Sequence, residues 1–233
     1  MPKNPKHIIE REAPKNYRVP DHIPDTPKFK TILVDFPWPT GQGGHYGAIT
    51  KYDLVDMKRL YEFPLKDLAD ENCTLWMWTT NACLKDALAI IDKNGFTYRG
   101  YYVWCKAKLG LGSQYLRQCT ELCLVATKGK VKFNNHSQMN WGIMPTTIHS
   151  EKPREFVSII ERLCDGPYLE LFCRKRPASN CHWYCWGREC GDNDEVKGSD
   201  IFIPEWPVPR YSWEHGKPEK STKGGDKDVS QDE

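Results

Sequence analysis

The sequence lacks any apolar stretch approaching the roughly 20 residues that a membrane-spanning helix requires. Its first residues, MPKNPKHIIEREAPKN, hold no apolar signal core. These two absences argue against membrane and secreted classes and lead to the expectation of a cytoplasmic protein. Charge of one sign is also missing, since 33 Lys and Arg stand against 31 Asp and Glu for a net charge of +2, so the chain as a whole is no polycation. No internal repeat is present, which excludes a solenoid or propeller. The ten cysteines are spaced irregularly and no secretion signal accompanies them, so reduced thiols, most of them small core residues, are expected.

What is present is one foldable block between two polar extensions. Residues 1–28 carry six prolines and read as an irregular arm. Residues 214–233 have no aromatic and one aliphatic residue, too little apolar surface to offset the entropy of ordering, and read as a disordered tail. Residues 29–213 form the domain, 39% of the whole chain being hydrophobic. Within it FKTILVDF reads as a strand, and Thr50 with Asp53 as the cap of a helix from about Tyr52 to Tyr61. TLWMWTT is a strand. ACLKDALAIIDKNG is a helix with Leu84, Ala87, Leu88 and Ile91 on one face and Gly95 as its stop. TYRGYYVWCK and TELCLVATKG are strands, PREFVSIIERLC is a helix with Phe156, Val157, Ile160 and Leu163 inward, and YLELFCRK and HWYCWG close the block as strands. Strands alternating with amphipathic helices predict a mostly parallel central sheet with helices on both faces.

Two features carry chemistry. The first strand ends in Asp35-Phe36-Pro37-Trp38, which places a carboxylate at the end of a strand expected in the sheet centre, where α/β proteins bind ligands. A second match, Asp165-Gly166-Pro167-Tyr168, follows a helix and opens a strand, so it is an ordinary turn. From Arg99 to Phe133 seven basic residues, among them Lys128, Lys130 and Lys132, face one acid, Glu121, with Tyr101, Tyr102, Trp104, Tyr115 and Phe133 interleaved. That pattern suits a phosphate backbone and unstacked bases, or else a solvated face above core aromatics.

The segments TILVDFPW, HYGAIT, LWMW, VWCK, TELCLVATKG, IHSEKPREFVSIIERL, YLELFCRK and WYCWG follow one another in an order that resembles the MT-A70 family of S-adenosylmethionine-dependent N6-adenine methyltransferases. The resemblance covers about residues 30–190 and implies a Rossmann-like methyltransferase fold in permuted order, the catalytic motif preceding the cofactor-binding strand. It implies S-adenosyl-L-methionine as cofactor, adenine-containing nucleic acid as substrate, no metal, and either a homodimer or a heterodimer with a related subunit; the compactness of the chain and the lack of a recognisable RNA-binding appendage favour DNA over RNA.

By the resemblance Asp35, Phe36, Pro37 and Trp38 form the catalytic motif. Asp35 and the Phe36 carbonyl accept the two N–H bonds of the target amine, and Trp38 stacks the base. The family motif is Asp-Pro-Pro-Trp, so Phe36 departs from it in side chain but keeps the main-chain carbonyl. Lys106 matches a lysine that pairs with the cofactor carboxylate. Asp35, Glu170, Arg174, Arg188 and Glu189 match positions lining the cofactor. Tyr46 lies on the substrate loop among Gly41, Gly43, Gly44 and Gly47. His149 lies on a substrate loop or caps the helix from Pro153, and Lys128 and Lys130 are assigned to nucleic acid. Two other readings compete: a zinc module at Cys181, His182, Cys185 and Cys190, whose spacing lacks paired CxxC knuckles, and a non-catalytic nucleic-acid-binding subunit, for which Phe36 is the sequence support.

Overall fold

The computed structural model describes residues 21–39, 55–106, 115–145, 152–188, 190 and 198–214. Seven strands form one sheet: β1 (Phe29–Asp35), β2 (Ala69–Thr79), β3 (Thr97–Cys105), β4 (Thr120–Lys128), β5 (Trp141–Ile143), β6 (Tyr168–Leu171) and β7 (Trp183–Trp186). Their spatial order is β5-β3-β4-β2-β1-β6-β7. β1 pairs in parallel with β2 and β6, β6 with β7 and β3 with β5, whereas β4 runs antiparallel to both β2 and β3. One reversed strand in an otherwise parallel sheet is the mostly parallel α/β architecture that the strand and helix alternation predicts, and it agrees with the Rossmann-like methyltransferase fold that the resemblance implies.

The runs ILV and LWMW are apolar at every position, and Thr31 just before the first is fully buried, because both faces of the sheet are covered. Ile32, Val34, Leu75 and Met77 pack with Leu60 of α1 (Met57–Tyr61), Leu65 of α2 (Leu65–Leu68) and Ala87, Ile90 and Ile91 of α3 (Leu84–Lys93). Leu33, Trp76 and Trp78, one residue out of phase, pack with Phe156, Ile160 and Leu163 of α4 (Glu155–Leu163). Among the described residues no helix is long and apolar enough to cross a membrane.

Several expectations shift. The first helix begins at Met57, where the Asp56 carboxylate accepts the Lys58 N–H at 2.8 Å; Thr50 and Asp53 lie outside the described residues. β2 starts at Ala69, five residues early, through the polar stretch Asp70-Glu71-Asn72 that hides its strand character. Gly129 (φ +69°) turns the chain against that stretch so closely that a Cβ would sit 2.2 Å from the Glu71 carbonyl oxygen. Ile90 joins Ala87 and Ile91 on the buried face of α3, while Leu84 and Leu88 are only partly buried. β5 is three residues long and has no periodicity to detect. Residues 201–211 supply Ile201, Ile203, Trp206, Val208 and Tyr211 to the α1–α3 core, and the Arg59 guanidinium donates to the Glu205 carbonyl at 2.7 Å.

Candidate active site

Because β1, β2, β3, β5, β6 and β7 point the same way and β4 is reversed, the ends of six strands and the beginning of β4 meet at one edge of the sheet. Asp35 ends β1, Lys106 follows β3, Glu121 opens β4, and Glu170 lies near the end of β6. Lys152, just before α4, completes the group: its ammonium donates to Asp35 Oδ2 at 2.7 Å and lies 3.4 Å from Glu121 Oε2, while Lys106 donates to Glu121 Oε1. Both cations also rest on indole faces, Lys152 5.6 Å from the Trp78 ring centre and Lys106 4.7 Å from that of Trp104.

The electrostatics divide the three carboxylates. Asp35 sits in a recess, surrounded by protein yet with 35% of its side-chain surface still open. Burial pushes its carboxyl above the ordinary value, Lys152 opposes the rise, and the charges of Glu121 and Arg174 act in opposite senses. Burial also works to raise Glu121, but Lys152 and Lys106 together outweigh it and hold that carboxyl below its usual range. Burial, reinforced by the Asp35 charge, pushes Glu170 up to about 8. A carboxyl lowered in the folded state stabilises the protein above its unfolded pKa and stops doing so as pH falls through the folded one. Glu121→Gln is therefore expected to melt below wild type at pH 7, the gap closing as pH falls through the lowered pKa of the folded Glu121, where the wild-type carboxyl is neutral in both the folded and the unfolded state. A gap that persists unchanged at low pH in a calorimetric series refutes the ionic role.

Phe36 is 3% exposed and meets the rings of Trp38, Phe63 and Phe172 at 5.3, 5.5 and 5.2 Å between centres. Its carbonyl already accepts the Trp38 N–H at 2.8 Å, closing a tight turn over Pro37, which leaves one lone pair. Trp38 is 5% exposed, and its indole N–H donates to the Trp78 carbonyl at 3.0 Å. The indole is thus a wall behind Asp35, and in this arrangement it presents almost no face on which a base could stack.

Of the residues matched to the cofactor, Asp35, Lys106 and Glu170 come to this edge, as does Arg174, whose charge reaches Asp35. Arg188 is exposed beyond β7. Tyr46, His149, Glu189 and the glycines around Tyr46 lie outside the described residues. Lys128 and Lys130 lie apart from this group: β4 is reversed, so Lys128 pairs with Cys73 at the opposite edge, about 26 Å along the strand from Thr120. There Lys130 N–H donates to Asn72 Oδ1 at 2.7 Å. The second motif match, Asp165–Tyr168, also lies at that far edge, where the Asp165 carbonyl accepts the Thr31 hydroxyl at 2.8 Å, as a turn should. Lys152 and Glu121 were absent from the sequence-derived set. Glu121 stood out only as the single acid of a basic segment, and Lys152 only as the residue preceding a helix-starting proline.

The family model described as MT-A70 matches residues 29–189. The chain is also 27% identical over 214 residues to the Type II methyltransferase M.MunI of Mycoplasma sp., the match covering 80% of this chain and 90% of that protein.

Proposed function

The chain belongs to the MT-A70 family, and on that premise we propose that this methyltransferase moves a methyl group from S-adenosyl-L-methionine to the N6 amino group of adenine in DNA. The observation that carries the reading is the Asp35 carboxylate at the end of a central strand, held by Lys152 at one oxygen only among the described residues. The likeness to a type II methyltransferase supports DNA over RNA.

The donor set at this edge fits the cofactor: the ammonium groups of Lys106 and Lys152 suit its carboxylate, and Glu170 suits its ribose hydroxyls. When bound, S-adenosylmethionine supplies a methyl group already activated on a sulfonium. The work left to the chain is to prepare the amine, a poor nucleophile because its lone pair is delocalised into the ring. Asp35 Oδ1 accepts one N–H and the remaining lone pair of the Phe36 carbonyl accepts the other, which favours a pyramidal nitrogen with its lone pair free. Lys152 at Oδ2 fixes the plane of the carboxylate. The raised proton affinity of Asp35 suits it to take the proton that the nitrogen sheds after transfer. Phe36, Trp38 and Trp78 form a rigid wall that keeps this constellation in place.

The test is nucleoside mass spectrometry after incubation with isotopically labelled S-adenosylmethionine and adenine-containing duplex DNA, single-stranded DNA or RNA. Label in N6-methyldeoxyadenosine is expected. Label in cytosine or only in RNA overturns the substrate, and cofactor binding with no label on any of them makes the chain a non-catalytic subunit.

A further inference from the structure

The β6–β7 side of the sheet holds a second convergence of reactive groups. A carboxylate oxygen of Glu170 and the sulfurs of Cys173 and Cys185 all lie within 4.8 Å of one another. Parallel pairing places Cys185 beside Glu170. Phe172 then adopts φ +59°, an uncommon conformation for a bulky residue, with its own ring edge-on to Phe36 and Trp186. Cys173 follows it and donates its N–H to the Trp186 carbonyl at 3.0 Å. The approach of the two segments is so close that a Cβ on Gly187 would lie 2.3 Å from the Cys173 carbonyl oxygen. Cys190 adds a third thiol, its sulfur 3.3 Å from that same oxygen.

These cysteines differ from the scattered small core residues that the sequence suggests. Cys173, Cys185 and Cys190 belong to the same apolar cluster as Cys123, but the sulfurs of Cys173 and Cys185 also lie within 4.8 Å of each other and of a carboxylate oxygen. We propose that Glu170, Cys173 and Cys185, with Cys190 as the fourth ligand, bind a single thiophilic divalent cation of the zinc class. Ligands at zinc–sulfur distances of about 2.3 Å lie roughly 3.8 Å apart in a tetrahedron, so Glu170, Cys173 and Cys185 need to contract by about 1 Å at most, and Cys190, now held at the Cys173 carbonyl, turns its sulfur in to complete the set.

The surroundings support the set. Asp200 Oδ2 accepts the Cys185 N–H at 2.8 Å, and both Asp200 oxygens accept the Arg176 guanidinium at 2.7 Å, which fixes the strand bearing the thiol. The charge of Arg176 acts on Cys185 and Cys190 and offsets the negative charge left when thiolates outnumber the charges of the ion. Binding exchanges thiol and carboxyl protons for the cation, with no change of oxidation state. The set also differs from a zinc module at Cys181, His182, Cys185 and Cys190, because Cys181 and His182 are exposed while Cys173 and Glu170 arrive from β6 and the turn after it. Glu170 is shared with the proposed cofactor pocket, so cation and cofactor are expected to alter each other's affinity.

Cobalt(II) added to the full chain under a phosphine reductant reads the site without any methyl transfer, so this inference and the proposed function fail separately. One equivalent is expected to produce thiolate-to-cobalt charge-transfer absorption and intense tetrahedral visible bands, both displaced by zinc. Cys173→Ser and Cys185→Ser are each expected to weaken the charge-transfer band, and Cys181→Ser to leave it unchanged. X-ray absorption of zinc-loaded wild type needs no variant and is expected to show sulfur at about 2.3 Å. A shell of oxygen and nitrogen alone, or a band that survives the Cys173→Ser/Cys185→Ser double substitution, overturns the proposal.

Discussion

Asp35→Ala is expected to lower methyl transfer by at least about a hundredfold while the protein melts at or slightly above the wild-type temperature. The loss follows from removing an acceptor positioned where charge develops on the reacting nitrogen, a kind of interaction whose deletion costs about 10²–10³ in turnover. The unchanged stability follows from the raised Asp35 pKa. A carboxyl that the folded state makes harder to ionise is a net burden on the fold at neutral pH, and Lys152 keeps Glu121 3.4 Å away when Asp35 is gone. Turnover in the wild type is expected to fall on the acid side at a pH above the ordinary aspartate range, as the raised group protonates. Scanning calorimetry and a single-turnover assay on the same preparation decide the matter. Wild-type turnover in the variant removes Asp35 from the chemistry, and a lost fold removes the argument about its burial.

Phe36→Pro, which writes the usual family motif into this chain, is expected to destabilise rather than to improve the enzyme. The backbone argument alone favours the change, since Phe36 precedes a proline and is already biased towards extended conformations. Packing decides otherwise. Phe36 lies at the centre of an aromatic group comprising Trp38, Phe63 and Phe172, with Phe63 and Phe172 carrying the contact on to Trp186 and Trp206. Truncating such a ring costs about 3–5 kcal/mol, which for a chain of this length corresponds to a fall of roughly 10 °C in melting temperature. Phe36→Leu refills part of the volume and keeps the carbonyl, so it is expected to lose less than half as much stability and to retain turnover. A Phe36→Pro protein that melts with wild type and turns over faster refutes the packing argument.

The two substitutions also show why the motif was only half legible. Asp35 could be assigned because a carboxylate ending an apolar strand is a local pattern, and the strand's central position follows from its apolar character on both faces. What fills the space around Phe36 and Trp38 is contributed by residues such as Phe63, Trp78 and Phe172, and no local pattern encodes their meeting. Trp38 therefore read as a stacking platform when it is a buried wall. Lys152 was overlooked for the same reason: it lies 117 positions from the carboxylate it holds. The separation of Lys128 and Lys130 from Asp35 rests on one topological fact that no local pattern encodes, the reversal of β4, which sends the end of that strand to the other edge.

By itself the sequence determined the alternation of strands and helices, the two-sided burial of TILV and LWMW, and the family, because these depend on periodicity and on the order of short segments. The tertiary structure decided the direction of β4, the start of β2 at Ala69, the three-residue β5 and the membership of the site. Strand direction depends on which edges find partners, and a short strand is stabilised almost wholly by its neighbour. A site forms where chain ends separated by more than a hundred residues converge, so its charges balance only in space: two lysines and two acids from the ends of β1 and β3, the start of β4 and the approach to α4.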